Sequence, residues 1–301
     1  MTLLTILGPT ASGKTALAAS VAHAIGGEII SADSRQVYRE MNIGTGKDYD
    51  DYIVEGRKIP FHLIDIAEPG SEYNIYLYQS DFLAAYQDIC SRKRLPILCG
   101  GSGMYLEAIL KGYRLTPAAP NHAYRQQLEN KSDDELREII LSFKKPHNST
   151  DFVSRERMIR AVEIGKQNAH VVPGSDTFPK IESKVFGIRL ERAQTCNRIM
   201  QRLGIRLKNG MIEEVSSLLK KGLTPAQLKF YGLEYKYLVM YLENELSYDE
   251  MFRQLNIAIR QFAKRQMTWF RRMERSGLEI KWLDGSLSDE EKTNLVLKEF
   301  R

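Results

Sequence analysis

Gly8-Pro9-Thr10-Ala11-Ser12-Gly13-Lys14-Thr15 fits the pattern G-x-x-x-x-G-K-[ST], follows the apolar run Leu3 to Leu7 and opens an alanine- and leucine-rich stretch from Thr15 to Ile25. A strand, a glycine-rich turn and a helix start are the setting this motif requires. Its glycines let backbone N–H groups approach a phosphate, and the helix N-terminus adds its dipole. Lys14 adds a point charge, and the Thr15 hydroxyl is placed to hold Mg²⁺. The implied chemistry is that of a diphosphate or triphosphate; the motif specifies phosphate and not ATP. A nucleoside-triphosphate hydrolase would usually show a second apolar strand ending in a metal-supporting Asp. The run from Leu95 ends instead in Cys99-Gly100-Gly101. Asp65 is then either that carboxylate or, more simply, a capping or pairing group near a strand end.

A second candidate strand, Glu28 to Ala32, runs into Asp33-Ser34-Arg35-Gln36-Val37-Tyr38. This puts a carboxylate at the C-terminal edge of a parallel sheet, where open α/β folds bind their ligands. Asp33 there can accept a proton from a nucleophile attacking near the phosphates. It can equally serve as the N-cap of a short helix.

The elements that must hold these residues alternate. LLTIL, the stretch from Thr15 to Ile25, EIIS, FHLIDI, the stretch from Tyr76 to Arg92 and LPILCGG follow one another in βαβ rhythm. Continuous apolar strands separated by helices predict an α/β fold, a P-loop-type core whose parallel sheet is covered by helices. From about Gly112 the character changes. Pro117, Pro120, Asn121 and His122 read as a loop, Asp133 to Lys144 and Ser154 to Lys166 as charged helices, and Pro173-Gly174-Ser175-Asp176 as a second loop. Residues 113–180 therefore read as a helical insertion domain, and residues 1–112 with 181–301 as the catalytic core. Lys184 to Leu190 is strand-like and returns to the parent sheet. Helices are predicted at Ala193 to Asn209, Met211 to Lys220, Leu233 to Leu242 and Tyr248 to about Arg275.

Across 301 residues, 43% hydrophobic and 27% charged side chains exclude a disordered or fibrous chain. No apolar window is long enough to cross a membrane, and the N-terminal run is too short for a secretory signal, so a cytoplasmic protein is expected. Cys90, Cys99 and Cys196 are isolated, which excludes a disulfide framework and a cysteine zinc site. The net charge is +5. Arg253, Arg260, Lys264, Arg265, Arg271, Arg272, Arg275 and Lys281 face only Glu274 and Glu279 between them, so one helical segment concentrates the basic charge. Such a helix can neutralise nucleic-acid phosphates, while the interleaved Phe262, Trp269 and Phe270 are expected mostly to pack in the core.

Taken together, GPTASGKT (8–15), SADSRQVYR (31–39), HLID (62–65) and GGSGMYL (100–106) resemble the tRNA dimethylallyltransferases, also called tRNA isopentenyltransferases. The resemblance continues through Arg157, Arg160, Ala161 and Glu163 in RERMIRAVEI and through IRQFAKRQMTWFR, and spans about residues 1 to 272. It implies transfer of a dimethylallyl group from dimethylallyl diphosphate to the exocyclic amino nitrogen of the adenosine just 3′ of the anticodon in tRNA, releasing diphosphate without consuming ATP. It further implies that Gly8, Pro9, Thr10, Ala11, Ser12, Gly13, Lys14 and Thr15 hold the diphosphate, with Mg²⁺ bridging it to Thr15. Asp33 would act as general base, and Thr10 would touch the reacting groups. The tRNA anticodon stem-loop would meet Asp33, Ser34, Arg35, Gln36, Ser102, Arg125, Glu156, Arg157, Met158, Ile159 and Arg160, with Lys264 and Arg265 on the basic segment.

The chain departs from the family pattern at several places. Phe61-His62 stands where the family commonly pairs two histidines, and Ser102 replaces a threonine while keeping its hydroxyl. LGIRLKNGMIEEV, after Arg202, lacks a frequent acidic residue, and Lys229 lies where some relatives carry a pyrophosphate-contacting arginine. Two other readings share the P-loop core: a prenyltransferase acting on free AMP or ATP, and an RNA-binding nucleotide switch.

Overall fold

The computed structural model describes residues 1–115, 121–143, 152–168 and 178–300. These fall into two compact units, Met1–Lys111 with Lys180–Arg301, and Gly112–Pro179. Pro117, Pro120 and the loop Pro173 to Asp176 lie outside the described residues.

In the first unit the chain runs β1 (Leu3–Leu7), α1 (Lys14–Ile25), β2 (Gly27–Ala32), a 3₁₀ turn (Tyr49–Tyr52), the short antiparallel pair β3 (Ile53–Val54) and β4 (Arg57–Lys58), β5 (Phe61–His62), α2 (Ile75–Ser91), β6 (Leu95–Gly100) and α3 (Gly103–Leu110). The second unit carries α4 (His122–Glu129), α5 (Asp133–Phe143) and α6 (Arg155–Asn168). The first unit resumes with β7 (Ser183–Arg189), α7 (Arg192–Lys208), α8 (Met211–Lys220), α9 (Pro225–Phe230), α10 (Leu233–Leu242), α11 (Tyr248–Arg275), β8 (Lys281–Asp284) and α12 (Asp289–Phe300).

Six strands form one parallel sheet in the order β5-β2-β6-β1-β7-β8. The central strands read as unbroken apolar runs because both faces are covered, and every residue of β1 and β2 is buried. The order matters for function. The C-terminal ends of β1, β6 and β2 are neighbours, so the P-loop, the Gly101 loop and Asp33 emerge side by side. Gly100 permits this closeness, since a Cβ there would stand 2.2 Å from the Ala32 carbonyl oxygen.

Leu4, Ile6, Leu17, Val21, Ile29, Ile97, Ile188 and Val296 form a core between the sheet and helices α1 and α12. A second core gathers Val37, Tyr38 and Met41 with α7, α8, α10 and α11. α11 starts at a capping box in which Ser247 and Glu250 satisfy each other's backbone N–H groups. Its buried Met251, Leu255, Ile259, Ala263, Gln266, Phe270 and Met273 recur every three or four residues, one stripe of an amphipathic helix.

The expected strand FHLIDI survives only as Phe61–His62. Leu63 and Asp65 take left-handed backbone angles (φ 62° and 58°), which turn the chain out of the sheet. β8, α9 and α12 were not anticipated; four residues reading KWLD are too short and too polar to announce a strand. Asn121 does not continue a loop but caps α4, accepting from the Tyr124 N–H at 3.0 Å.

The second unit has its own small core of Leu128, Leu136, Ile140, Met158, Ile159 and Val162. Buried Glu163 organises its polar side, accepting two bonds of 3.0 Å from Arg125 and one of 3.1 Å from Arg160. Among the described residues, no helix is long and apolar enough to cross a membrane.

Candidate active site

The P-loop leaves β1 and enters α1 through two left-handed residues, Ala11 (φ 61°) and Gly13 (φ 83°). Gly13 then accepts the Leu17 N–H at 3.1 Å, closing the first helical turn. This geometry turns successive backbone N–H groups toward one space, the physical basis of anion binding at such loops. The Thr10 N–H is the exception, because it donates to Gln266 Oε1 at 2.9 Å. The same side chain donates from Nε2 to the Gly101 carbonyl at 2.9 Å, so α11 ties the P-loop to the loop after β6. Burial pushes the Lys14 ammonium below its ordinary pKa, with the fields of Cys99, Asp33 and Asp48 opposing. A desolvated cation at the head of a helix is poised for an anionic ligand.

Asp33 follows β2 and accepts the Arg35 N–H at 3.0 Å. A tight turn follows, not a helix, so the N-cap alternative is not realised. Ser34 N–H donates to Ser102 Oγ at 2.9 Å, and Gln36 donates to the Gly46 carbonyl at 2.9 Å. Asp33, Ser34, Arg35, Gln36 and Ser102 thereby form one wall, knitted across β2 and β6. Asp65 lies elsewhere, accepting from buried Lys47 and from Tyr49, and so takes the pairing role rather than that of a metal support.

The opposite wall was not foreseen in full. Arg198, Arg202 and Arg206 recur every fourth residue along α7, a cationic stripe, and all three line the cavity. Arg202 approaches Thr10 Oγ1 at 3.5 Å and pairs with Asp48 at 2.7 Å; Arg206 pairs with Asp48 at 3.0 Å. Burial raises the Asp48 carboxyl, but the two arginines overcome it and hold the group below its usual range. The loop bearing Asp48 is anchored by Glu214, which accepts from the backbone N–H groups of Asn42, Ile43 and Gly44 and from the Tyr235 hydroxyl. Lys229 bonds Glu243 at 2.8 Å and Glu245 at 3.0 Å.

These walls enclose a cavity of about 920 Å³. Gly13, Lys14 and Thr15 lie on its lining with Asp33, and so do Phe230, Phe262, Arg265 and Trp269. The aromatics of α11 therefore divide. Phe270 is fully buried as expected, whereas Phe262 is exposed and lines the cavity with Trp269, which corrects the core assignment for both. Lys264 is exposed and lies outside the lining.

In the second unit, Glu156 and Arg157 are exposed on α6, while Arg155 pairs with Asp133. Met158 and Ile159 are a correction to the expected contact surface: at 2% and 7% exposure they belong to the core of that unit, because their turn of α6 faces α5.

The family described as IPP transferase matches residues 36–273, and that described as isopentenyl transferase matches residues 1–68. The chain is 53% identical over 301 residues to tRNA dimethylallyltransferase 2 of Bacteroides fragilis, covering 99% of this chain and 98% of that one. Among solved structures, the tRNA isopentenylpyrophosphate transferase of Bacillus halodurans is similar with a TM-score of 0.72 at 30% identity, over 99% of this chain and 95% of that one. A eukaryotic dimethylallyltransferase acting on tRNA shares the fold, with a TM-score of 0.77 at 21% identity over 100% of this chain and 78% of that one.

Proposed function

The chain belongs to the tRNA dimethylallyltransferase family, and we propose that the cavity between the P-loop and α7 is where it transfers a dimethylallyl group to tRNA. The donor in this reading is dimethylallyl diphosphate. The acceptor is the exocyclic amino nitrogen of the adenosine immediately 3′ of the anticodon, and the reaction is placed in the cytoplasm. The observation that carries the reading is the shared lining: a phosphate-binding loop and a carboxylate, Asp33, border one cavity large enough for a nucleobase and a prenyl chain.

The backbone N–H groups of the P-loop and the Lys14 ammonium hold the diphosphate and take up the negative charge that grows on it as the allylic C–O bond breaks. Lone-pair electrons of the adenine amine form the new C–N bond. The amine proton passes to Asp33, and diphosphate leaves with the electrons of the broken bond. Among the described residues, no three His, Cys, Asp or Glu side chains converge into a metal cage. The chain offers the Thr15 hydroxyl, a single hard oxygen, which fits Mg²⁺ bound chiefly through substrate phosphates. When bound there, Mg²⁺ would neutralise the leaving diphosphate.

An adenosine must leave its stack to reach a cavity of this depth, so exposed aromatic and basic groups at the mouth are suited to its neighbours. Ser34, Arg35, Gln36, Ser102 and Arg265 are assigned to the acceptor side. Glu156 and Arg157, with Arg160 and Arg125 set by Glu163, are assigned to the anticodon stem-loop, and exposed Lys264 to its phosphates. The test is incorporation of labelled dimethylallyl diphosphate, with Mg²⁺, into unmodified tRNA beside parallel reactions with AMP or no acceptor. Label in tRNA alone is expected. Label in AMP would move the acceptor to free nucleotides, and ATP hydrolysis without label would replace transfer with a nucleotide switch.

A further inference from the structure

We propose that Phe230 and Arg35 form a stacking site for the nucleobase that adjoins, in the RNA chain, the adenosine entering the cavity. This deepens the proposed function and rests on its reading of tRNA as the acceptor. Three observations carry it.

The first is an unused surface on a fixed support. Phe230 ends α9 and lines the cavity while 66% exposed. Its buried neighbour Tyr231 accepts the Gly70 N–H on its hydroxyl at 2.6 Å and packs edge-on against Tyr38, with ring centroids 4.5 Å apart. The backbone that carries Phe230 is therefore held while its ring is left to solvent. A lone exposed apolar side chain calls for no explanation, but a phenyl ring on the lining of an open cavity offers a π-face to a planar ligand.

The second is the cation beside it. The Arg35 guanidinium lies 5.6 Å from the Phe230 ring centroid, and both side chains line the cavity. The pairing recurs on that lining, with Arg265 5.9 Å from the ring centroid of Phe262. Among the described residues, neither Arg35 nor Arg265 is ion-paired. Arg272 and Trp269 show the contrast: that guanidinium stands 4.0 Å from the ring centroid and is bonded to buried Glu107 at 2.5 Å, so the contact holds structure. The looser Arg35–Phe230 pair leaves a ring face and a guanidinium plane available to a base, and unstacked RNA bases are bound by both kinds of surface.

The third is its place beside the bond-making groups. The Arg35 N–H donates to Asp33 Oδ1 at 3.0 Å, so the chain passes from the proton acceptor to the guanidinium within two residues. A base stacked on Phe230 against Arg35 is thus next to the base whose amine meets Asp33. The stack offsets contacts that this neighbour gives up when the adenosine leaves the loop.

The alternative is that Phe230 closes over the prenyl donor, and the two cases differ in which substrate feels its loss. Binding of an unmodified anticodon stem-loop RNA is measured with fluorescent 2-aminopurine in place of the nucleotide on one side or the other of the adenosine, for the wild type, Phe230→Ala, Phe230→Trp and Arg35→Lys. The KM for dimethylallyl diphosphate is measured in parallel. With the wild type, the probe on one side is expected to stay quenched in the complex, as stacking requires. Phe230→Ala should brighten that probe and weaken RNA binding by about 5–100-fold, the loss of one stacked base. Phe230→Trp should restore both, and Arg35→Lys, which keeps the charge but loses the plane, should weaken binding as well. Probes on both sides that fluoresce alike in the wild type and Phe230→Ala would overturn the proposal, as would a raised donor KM in Phe230→Ala with RNA affinity unchanged. A wild type that binds no stem-loop and transfers no label would bring down the proposed function itself, whereas transfer to tRNA with an indifferent Phe230→Ala brings down only the stacking site.

Discussion

Gln266 and Thr10, 256 residues apart in sequence, are joined by a 2.9 Å hydrogen bond from the P-loop backbone to a buried side chain of α11. With its second bond to Gly101, Gln266 makes the seat of α11 and the shape of the phosphate loop one structural fact. Gln266→Leu strands a buried N–H and a carbonyl, at about 1–3 kcal/mol for each unsatisfied group. A lower denaturation midpoint is expected, together with a raised KM for the prenyl donor. An unchanged donor KM would confine Gln266 to stability.

Asp33 has a role only if a proton must be removed. Asp33→Asn keeps the shape of the turn at Arg35 and is expected to slow single-turnover transfer by about 10²–10⁴-fold, the range of a lost general base. Affinity for tRNA should hold. A parallel loss of tRNA affinity would reassign Asp33 to acceptor binding.

Burial lowers the Lys14 pKa, so the empty fold disfavours its charge. The unfolded chain then binds more protons between the lowered value and 10.5, and the stability of the unliganded protein rises as pH climbs through that window. Lys14→Met is therefore expected to melt no earlier than the wild type without ligand. Pyrophosphate at a hundred times its Kd should stabilise the wild type by about 2.7 kcal/mol and the variant scarcely at all. Thermal melts with and without pyrophosphate check both halves; a variant that melts early without ligand contradicts the first.

On β2, beside the edge strand β5, Glu28 is bonded by Arg92 and by His62 at 2.8 Å. Arg92 first, then His62, hold its carboxyl below the ordinary 4.5 against the opposing effect of burial. A depressed carboxylate stabilises the fold above its unfolded pKa, and that contribution disappears as pH falls through the lowered value. Glu28→Gln should cost about 1–3 kcal/mol at neutral pH, with the gap to wild type closing in acid. A gap that persists at low pH would point to packing instead.

On α6, neighbouring positions should behave oppositely. Arg157→Ala is expected to weaken tRNA binding and reduce the salt slope by about one. Met158→Ala opens a cavity in the small core and should cost about 2–5 kcal/mol of that unit's stability. Salt-dependent tRNA binding and denaturation of the two variants make the comparison, and an unchanged slope in Arg157→Ala would remove it from the interface.

What could be read from sequence had short range. The P-loop is contiguous because its backbone must wrap one phosphate group, and Asp33 is marked by the strand that ends beside it. Helices such as Met211–Lys220 and Leu233–Leu242 carry their periodicity within their own span. The α7 arginines were missed because their meaning comes from Asp48 and Thr10, which reach them only through the fold. Their four-residue spacing on an expected helix was the available signal. Phe262 and Trp269 were misjudged for a related reason: an amphipathic pattern shows which face is apolar, not whether another helix or a cavity lies against it. Met158 and Ile159 show the reverse, buried residues inside an otherwise exposed motif.

The 2.2 Å that a Gly100 side chain would leave to the Ala32 carbonyl also sets where this cavity can change. The strands bearing Asp33 and the Gly101 loop lie too close to be spread or padded, so the sheet side of the cavity is inelastic. Its helical side carries Phe230, 66% exposed, and Phe262, 39% exposed, on short and long helices that tolerate exchange at the surface. A change in the size or shape of the acceptor must then be met from α9 and α11, leaving the bond-making groups where they are.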